Sequence, residues 1–357
     1  MGIGAGALVN HNPPSNTVTD PPVPATMQAL FLDAPGALSL AEAPVPGLSH
    51  GDLLIKVRAA TTCGTDLKAY RRGHKQIPMP GPFGHEYSGV VAATGANARF
   101  MVGDAIMGVH SAPCQKCFWC KNDQENLCES IMETKVLGSY AEFLRVPARI
   151  ARLNVYAKPE FLPFDLAALL EPLACVAQGL IELKPKPGER MLVIGPGAIG
   201  LMFVAALRTL GVSEVTLAGR NKSRLEVGER FGARAVTLDA AADSGRGYDA
   251  VIECTGAAAI WERSVEFARR GGRVMLFGGV PSGTRVSWDA GRLHYDQVTL
   301  LSPFHFGTEA VRLAHRWLTE DRLDLSPLLS GERKLTDAAA TFVALEAGEG
   351  IKYVFKP

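Results

Sequence analysis

The stretch Arg190-Met-Leu-Val-Ile-Gly-Pro-Gly-Ala-Ile-Gly200 decides the fold. Arg190–Ile194 is short, apolar and β-branched, so it reads as a strand. It runs into Gly195-Pro-Gly-Ala-Ile-Gly200, and Leu201–Leu210 continues as an apolar helix. A lone Gly-x-Gly-x-x-Gly says little. One that leaves a strand and opens a helix is the turn that binds a dinucleotide. Gly195 permits the tight turn, Gly197 lets a pyrophosphate approach the backbone, and Gly200 lets the helix pack close to the strand. The pyrophosphate then lies at the helix start, by Ala198 and Ile199, where N–H groups and the helix dipole favour an anion.

The pattern extends downstream. Strands read at Glu214–Ala218, Ala235–Leu238, Ala250–Glu253, Arg273–Phe277 and Val298–Ser302, with helices at Ser223–Phe231, Ala259–Arg269 and Glu309–Leu318. Strand–helix alternation with fully apolar strands means a parallel sheet covered on both faces. The second strand ends in Gly219-Arg220, without the carboxylate that would bind a ribose 2′-hydroxyl. Arg220, with Asn221, Lys222, Ser223 and Arg224 behind it, suits a 2′-phosphate, so the expected cofactor is NADP in preference to NAD. Thr255, Gly278 and Gly279 close the next two strands at the carboxyl edge, where a cofactor runs.

Upstream, Gln28–Phe31, Asp52–Ala60, Tyr87–Ala93, Ala105–Val109 and Ala141–Val146 read as strands between turns, and few helical periods precede Leu162. This half is a β-rich domain. Asp165–Ile181 then reads as a helix broken internally by Pro172, and Gly350–Phe355 as a final strand returning to the first domain. Residues 1–26, rich in Gly, Pro, Asn and Thr with no basic start, read as a disordered extension.

The 357 residues suffice for about two domains. With 37 basic against 36 acidic residues, the net charge of +1 offers no electrostatic case for nucleic acid or an anionic membrane. No apolar run reaches the roughly 18 residues of a spanning helix. Four of the seven cysteines, Cys114, Cys117, Cys120 and Cys128, crowd into one polar stretch. Their spacing suits a tetrahedral structural zinc in a reducing compartment, the cytoplasm, better than a disulfide framework. Elsewhere, Cys63-Gly-Thr-Asp66 follows a strand, Gly84-His85-Glu86 follows Pro82, and Glu171-Pro172 lies where the two halves meet. Cys, His and Glu together can ligate a catalytic zinc with an open position.

Taken in order, Cys63-Gly-Thr-Asp, Gly84-His-Glu-Tyr-Ser-Gly89, the cysteine lobe, Glu171-Pro172 and Gly195–Gly200 resemble the zinc-dependent medium-chain dehydrogenases over residues 28–357. The polyol (sorbitol) and threonine dehydrogenase branch is the nearest in pattern. The resemblance implies an α/β protein: a GroES-like β-rich catalytic domain over 27–172, with its lobe at 110–130, completed by 305–357, and a Rossmann doubly wound domain over 173–304. It implies two zinc ions per chain. Cys63, His85, Glu86 and Glu171 match the catalytic ligand positions, and the four lobe cysteines the structural ones. Asp66 matches the carboxylate that orients the ligand His, and Thr65 the hydroxyl that receives the substrate proton. Lys68 stands where relatives often carry a His that passes this proton on.

The expected reaction is hydride transfer between a secondary alcohol (a polyol, sugar, inositol or threonine-like compound) and the nicotinamide. Simple alcohols or aldehydes are the alternative substrates. A zinc-free reductase would lack the Cys63, His85 and Glu171 set, and a zinc-binding nucleic-acid module would need a basic face. The resemblance also implies a homodimer or homotetramer, joined through the last Rossmann strand. His305, in Pro303-Phe-His-Phe306, reads as a packed surface residue, with approach to the substrate pocket as the alternative.

Overall fold

A computed structural model describes residues 23–242, 245–320 and 323–357 of the chain. Most of the expected N-terminal extension therefore lies outside the described residues. Thr26, its last residue, already begins a strand, Thr26–Ala34, that pairs antiparallel with Ala37–Pro44.

The six strands Arg190–Ile194, Glu214–Ala218, Arg234–Val236, Tyr248–Glu253, Ala268–Leu276 and Thr299–Leu301 form one wholly parallel sheet. Taken by first residue, the order across it is 234, 214, 190, 248, 268, 299. The order reverses between the strands at 190 and 248, which is where α/β sheets open a ligand crevice. Met191–Ile194 is buried because helices cover both faces of the sheet.

Gly195 adopts φ 106°, and a Cβ there would stand 2.9 Å from Thr255 Cγ2. A Cβ on Gly200 would stand 2.0 Å from the Gly195 carbonyl oxygen, so helix Ala198–Thr209 can leave the strand this closely only with glycine. A Cβ on Gly197 would meet nothing within 4 Å. The space before that amide is open, as a bound pyrophosphate requires.

The β-rich half forms a seven-stranded sheet. Leu53–Thr61 lies at its centre and pairs with Tyr87–Thr94, Phe143–Val146 and, from the chain's far end, Lys352–Phe355. The last pairing is antiparallel, with Val354 opposite Thr61. Leu335, Phe342, Tyr353 and Phe355 join the core of this half, whereas Trp317, Leu318, Leu325 and Leu328 join the core under the parallel sheet.

Cys63-Gly-Thr-Asp begins helix Gly64–Arg72, because the Cys63 thiol accepts the Thr65 amide (3.4 Å) and caps the first turn. One expectation needs correction: Pro172 does not break a helix. The break falls at Ala168–Leu169, between Phe164–Ala167 and Leu170–Leu183, and Pro172 sits in the first turn of the second helix. There its missing N–H has no intrahelical partner to lose. Among the described residues, no helix is long and apolar enough to cross a membrane.

Gly200→Ala is expected to destabilise the protein by about 2–3 kcal/mol through overpacking against backbone. Thermal unfolding followed by circular dichroism checks it; a melting temperature equal to that of the wild type would refute the close-approach role of Gly200.

Candidate active site

Three side chains from two separate segments converge beside the carboxyl edge of the parallel sheet. The Cys63 thiol, a His85 ring nitrogen and a Glu86 carboxylate oxygen all lie within 4.8 Å of one another. Cys63 starts its helix directly after strand Leu53–Thr61, and His85-Glu86 precede the paired strand Tyr87–Thr94. The register that sets Ala60 opposite Tyr87 therefore brings the donors together. Sulfur, imidazole and carboxylate form a donor set that zinc accepts, so the residues fit the metal.

Buried partners hold each donor. Asp66 Oδ1 lies 3.1 Å from His85 Nδ1, and the Tyr140 hydroxyl donates to Asp66 Oδ2 (2.6 Å). The other His85 nitrogen is thereby left for a metal. Burial alone would lower the His85 pKa, but Asp66 and Cys63 outweigh it and hold the ring well above its ordinary value. Glu86 is 0% exposed and Lys352 2%. Lys352 Nζ lies 2.9 and 2.6 Å from the two Glu86 oxygens and also donates to the Thr62 carbonyl. The Thr61 hydroxyl donates to Glu86 as well. Burial pushes the Glu86 carboxyl up to about 7, with Lys352 opposing and Glu171 adding to the rise.

Glu171 is buried but lies outside that close cluster. Its Oε1 is 3.2 Å from His110 Nδ1. Burial would raise its pKa, yet the hydrogen bond and charge of His110 bring it down to about 2. His110 is thus a site residue that the sequence reading did not single out. The only hint was a histidine just past a buried strand, four residues before Cys114. Lys352 was missed too, although a lysine in the apolar run Lys352–Phe355 is an anomaly that asks for a buried partner.

His305 is not a packed surface residue. It lies beside His110 (ring centroids 5.3 Å), which in turn lies beside His85 (5.1 Å), and Ser111 Oγ is 2.6 Å from His305 Nε2. Burial pushes the His305 imidazole down to about 3, so the ring is neutral.

Thr65 stands half-buried in the first turn of its helix. Lys68 lies one turn further along the same helix. Its ammonium donates across the cleft to the Gly279 carbonyl (3.3 Å), and burial lowers its pKa. At the cofactor edge, Glu253 holds the turn after its strand. It accepts the Thr255 amide (2.6 Å), the Thr255 hydroxyl and the Gly256 amide. A Cβ on Gly278 would stand 2.2 Å from the Gly256 nitrogen, so these two strand ends pack backbone to backbone.

Gly219 has a packing reason to lack a carboxylate, since any Cβ there would stand 2.4 Å from Pro196 Cδ. Arg220 beside it is exposed. Arg224, by contrast, is drawn to the C-terminal segment, its Nε donating to the Gly350 carbonyl (3.0 Å). Asn221 is engaged by the same segment, donating to the Gly348 carbonyl (3.1 Å), while its Oδ1 caps helix Lys222–Arg230.

The sulfurs of Cys114, Cys117, Cys120 and Cys128 likewise lie within 4.8 Å of one another. The Lys116 amide, helped by that of Cys117, pulls the Cys114 thiol down to about 6 against burial. Four thiols around one point, in a segment with no other core, fit a structural zinc.

Known proteins share this chain's domains and fold. Residues 49–156 match the alcohol dehydrogenase GroES-like domain, and residues 198–320 match the zinc-binding dehydrogenase family. L-threonine 3-dehydrogenase of Aeromonas salmonicida (strain A449) is 30% identical over 349 residues, covering 92% of this chain and 98% of that protein. D-arabinitol dehydrogenase 1 of Uromyces fabae is 30% identical over 297 residues, covering 79% of this chain and 83% of that protein. Among solved structures, a protein described as a zinc-binding dehydrogenase from Sinorhizobium meliloti 1021, bound to NADP, superposes with TM-score 0.85 at 27% identity, over 94% of this chain and all of that one.

Lys352→Met, which leaves Glu86 buried without its cation, should cost about 3–5 kcal/mol of stability. Lys352→Arg, which keeps the charge, should cost less. Urea unfolding of the two variants measures the difference, and equal midpoints for Lys352→Met and wild type would refute the pairing.

Proposed function

The chain belongs to the zinc-binding alcohol dehydrogenase family, and we propose that it oxidises secondary alcohols carrying a neighbouring polar group, of the polyol or threonine type, with NADP preferred over NAD. The observation that carries the reading is the meeting of Cys63, His85 and Glu86 at the carboxyl edge of a parallel sheet whose first turn is Gly195–Gly200. Those three residues would hold a catalytic zinc, with Glu171 next to them as a further oxygen donor. The four lobe cysteines would hold a second, structural zinc. When bound, the catalytic zinc supplies a Lewis acid for the alcohol oxygen, and the nicotinamide supplies the hydride acceptor.

The chain's own residues do the rest. Thr65, half-buried in the first turn of its helix, accepts the substrate hydroxyl's proton on its own oxygen as it gives up its own proton to water. Lys68 joins helix Gly64–Arg72 to Gly279 and so holds the two walls of the cleft together. Asp66 keeps His85 in one tautomer and orientation. Gly197 leaves room for the pyrophosphate, and Thr255, Gly278 and Gly279 shape the cleft beyond it. The relatives named for L-threonine and D-arabinitol support the substrate class. Arg220 beside Gly219, together with the NADP-bound structural relative, supports the cofactor. The edge strand Thr299–Leu301 suits pairing with a second copy, and cysteines placed as zinc ligands and not in disulfides suit the cytoplasm.

Metal analysis and kinetics separate the two proposed zinc sites. Wild type should carry about two zinc ions per chain. Cys63→Ser should lose one of them together with turnover, and stay folded. Cys114→Ser should lose the other and unfold at a lower temperature. Turnover by Cys63→Ser would sink the catalytic assignment.

Cofactor choice is a separate test. Across a panel of polyols, inositols, threonine and simple alcohols, kcat/KM should be higher with NADP. Arg220→Ala should lower it about 10- to 100-fold with NADP, the loss of charged hydrogen bonds to a phosphate, and leave NAD unchanged. A strict NAD preference in the wild type would overturn the cofactor reading.

A further inference from the structure

The cysteine lobe meets the parallel-sheet side of the molecule at the segment that carries His305. Glu125 Oε2 accepts the Thr308 amide (2.9 Å) and the Thr308 hydroxyl. A lobe carboxylate thus sits on the N-terminus of helix Thr308–Thr319, a helix of 12 residues, where orphan amides and the dipole favour an anion. The next lobe residue, the buried Asn126, donates to the Phe304 carbonyl (3.0 Å). Gly307 closes the grip. Its amide donates to Gln178 Oε1 (3.1 Å), and a Cβ on it would stand 3.2 Å from Glu125 Cβ.

Between these anchors the chain turns through His305 at φ 59°, in the left-handed region, which histidine enters more readily than most side chains. The ring stacks on Phe306 (4.0 Å between centroids) and meets Ser111, which comes from the β-rich half three residues before Cys114. The neutral His305 ring therefore stands beside His110, and through it beside Glu171, by virtue of contacts that the lobe makes.

We propose that the lobe positions the substrate pocket: Glu125 and Asn126 hold segment 303–308 so that His305 faces the alcohol and hydrogen-bonds a second polar group of the substrate. Glu125 and Asn126 are positioning residues, and His305 is the specificity-determining one. This rests on the reading of the chain as a dehydrogenase of alcohols with a neighbouring polar group.

The test is a double-mutant cycle on the zinc-loaded enzyme with its best alcohol substrate. Glu125→Ala should raise the substrate KM about tenfold, as expected for losing a charged hydrogen-bond acceptor, and leave kcat and the cofactor KM within about twofold. Glu125→Gln keeps an oxygen that accepts both bonds and should restore the wild-type KM. Asn126→Ala, the milder variant, should raise KM about threefold. His305→Ala should raise KM at least as much as Glu125→Ala, and the double variant should be no worse than His305→Ala alone, because both act through one group. An unchanged KM in Glu125→Ala overturns the proposal. So does additivity with His305→Ala, or a parallel rise in the cofactor KM. Histidine-labelled NMR reads the same device without turnover: Glu125→Ala should move the His305 ring signals, and unmoved signals refute the latch. If the wild type oxidises no alcohol in the panel, the proposed function falls, and the NMR result still decides whether the lobe sets His305.

Discussion

One buried ion pair ties the two ends of the chain to the chemistry. Lys352 and Glu86 are 266 residues apart and both are shielded from water. Neither could be buried alone, since an isolated charge in a protein interior costs several kcal/mol. The pairing therefore constrains the last strand to lie against Leu53–Thr61, and this completes the β-rich sheet. It also fixes the carboxylate next to Cys63 and His85. The same contact that closes the fold shapes the metal site, and the lysine competes with any metal for the Glu86 oxygens. A site built this way keeps its carboxylate oriented before a metal arrives.

The remaining elements divide the work by stiffness. The parallel sheet supplies a rigid edge, where Gly195, Gly200, Gly256 and Gly278 allow backbone to approach backbone more closely than any side chain permits. The β-rich half supplies the donors. Between them run a few specific bridges: Lys68 to Gly279, Arg224 to Gly350, Asn221 to Gly348, and the Glu125 cap on helix Thr308–Thr319. Each joins a side chain to backbone across the cleft or between the halves, so each sets an angle between surfaces and adds little apolar burial. In this arrangement the cysteine lobe is more than a staple. Its zinc would hold the segment from which Glu125 and Asn126 reach the pocket.

Much of this was legible in the residues. The strand–turn–helix around Gly195–Gly200 and the apolar alternation after it predict a doubly wound sheet, and its strands fall where expected to within a few residues. Local chemistry was harder to read. Helix Gly64–Arg72 escaped notice because its cap is a thiol, a residue type that seldom serves this purpose. Pro172 was taken for a break because its position relative to the first turn depends on where the helix begins, and neighbouring tertiary contacts decide that.

The sequence by itself determined the kinds of group available and the spacing of those that act locally: four thiols within one lobe, a glycine turn, a Cys, a His and two Glu. Such patterns are readable because their physics is confined to a few consecutive residues. Only the tertiary structure decided which carboxylate stands with Cys63 and His85, that His110 takes Glu171, that Lys352 takes Glu86, and that His305 lies beside His110. The last three contacts join residues 61 to 266 positions apart, and their formation depends on sheet register and domain packing, which no local propensity encodes.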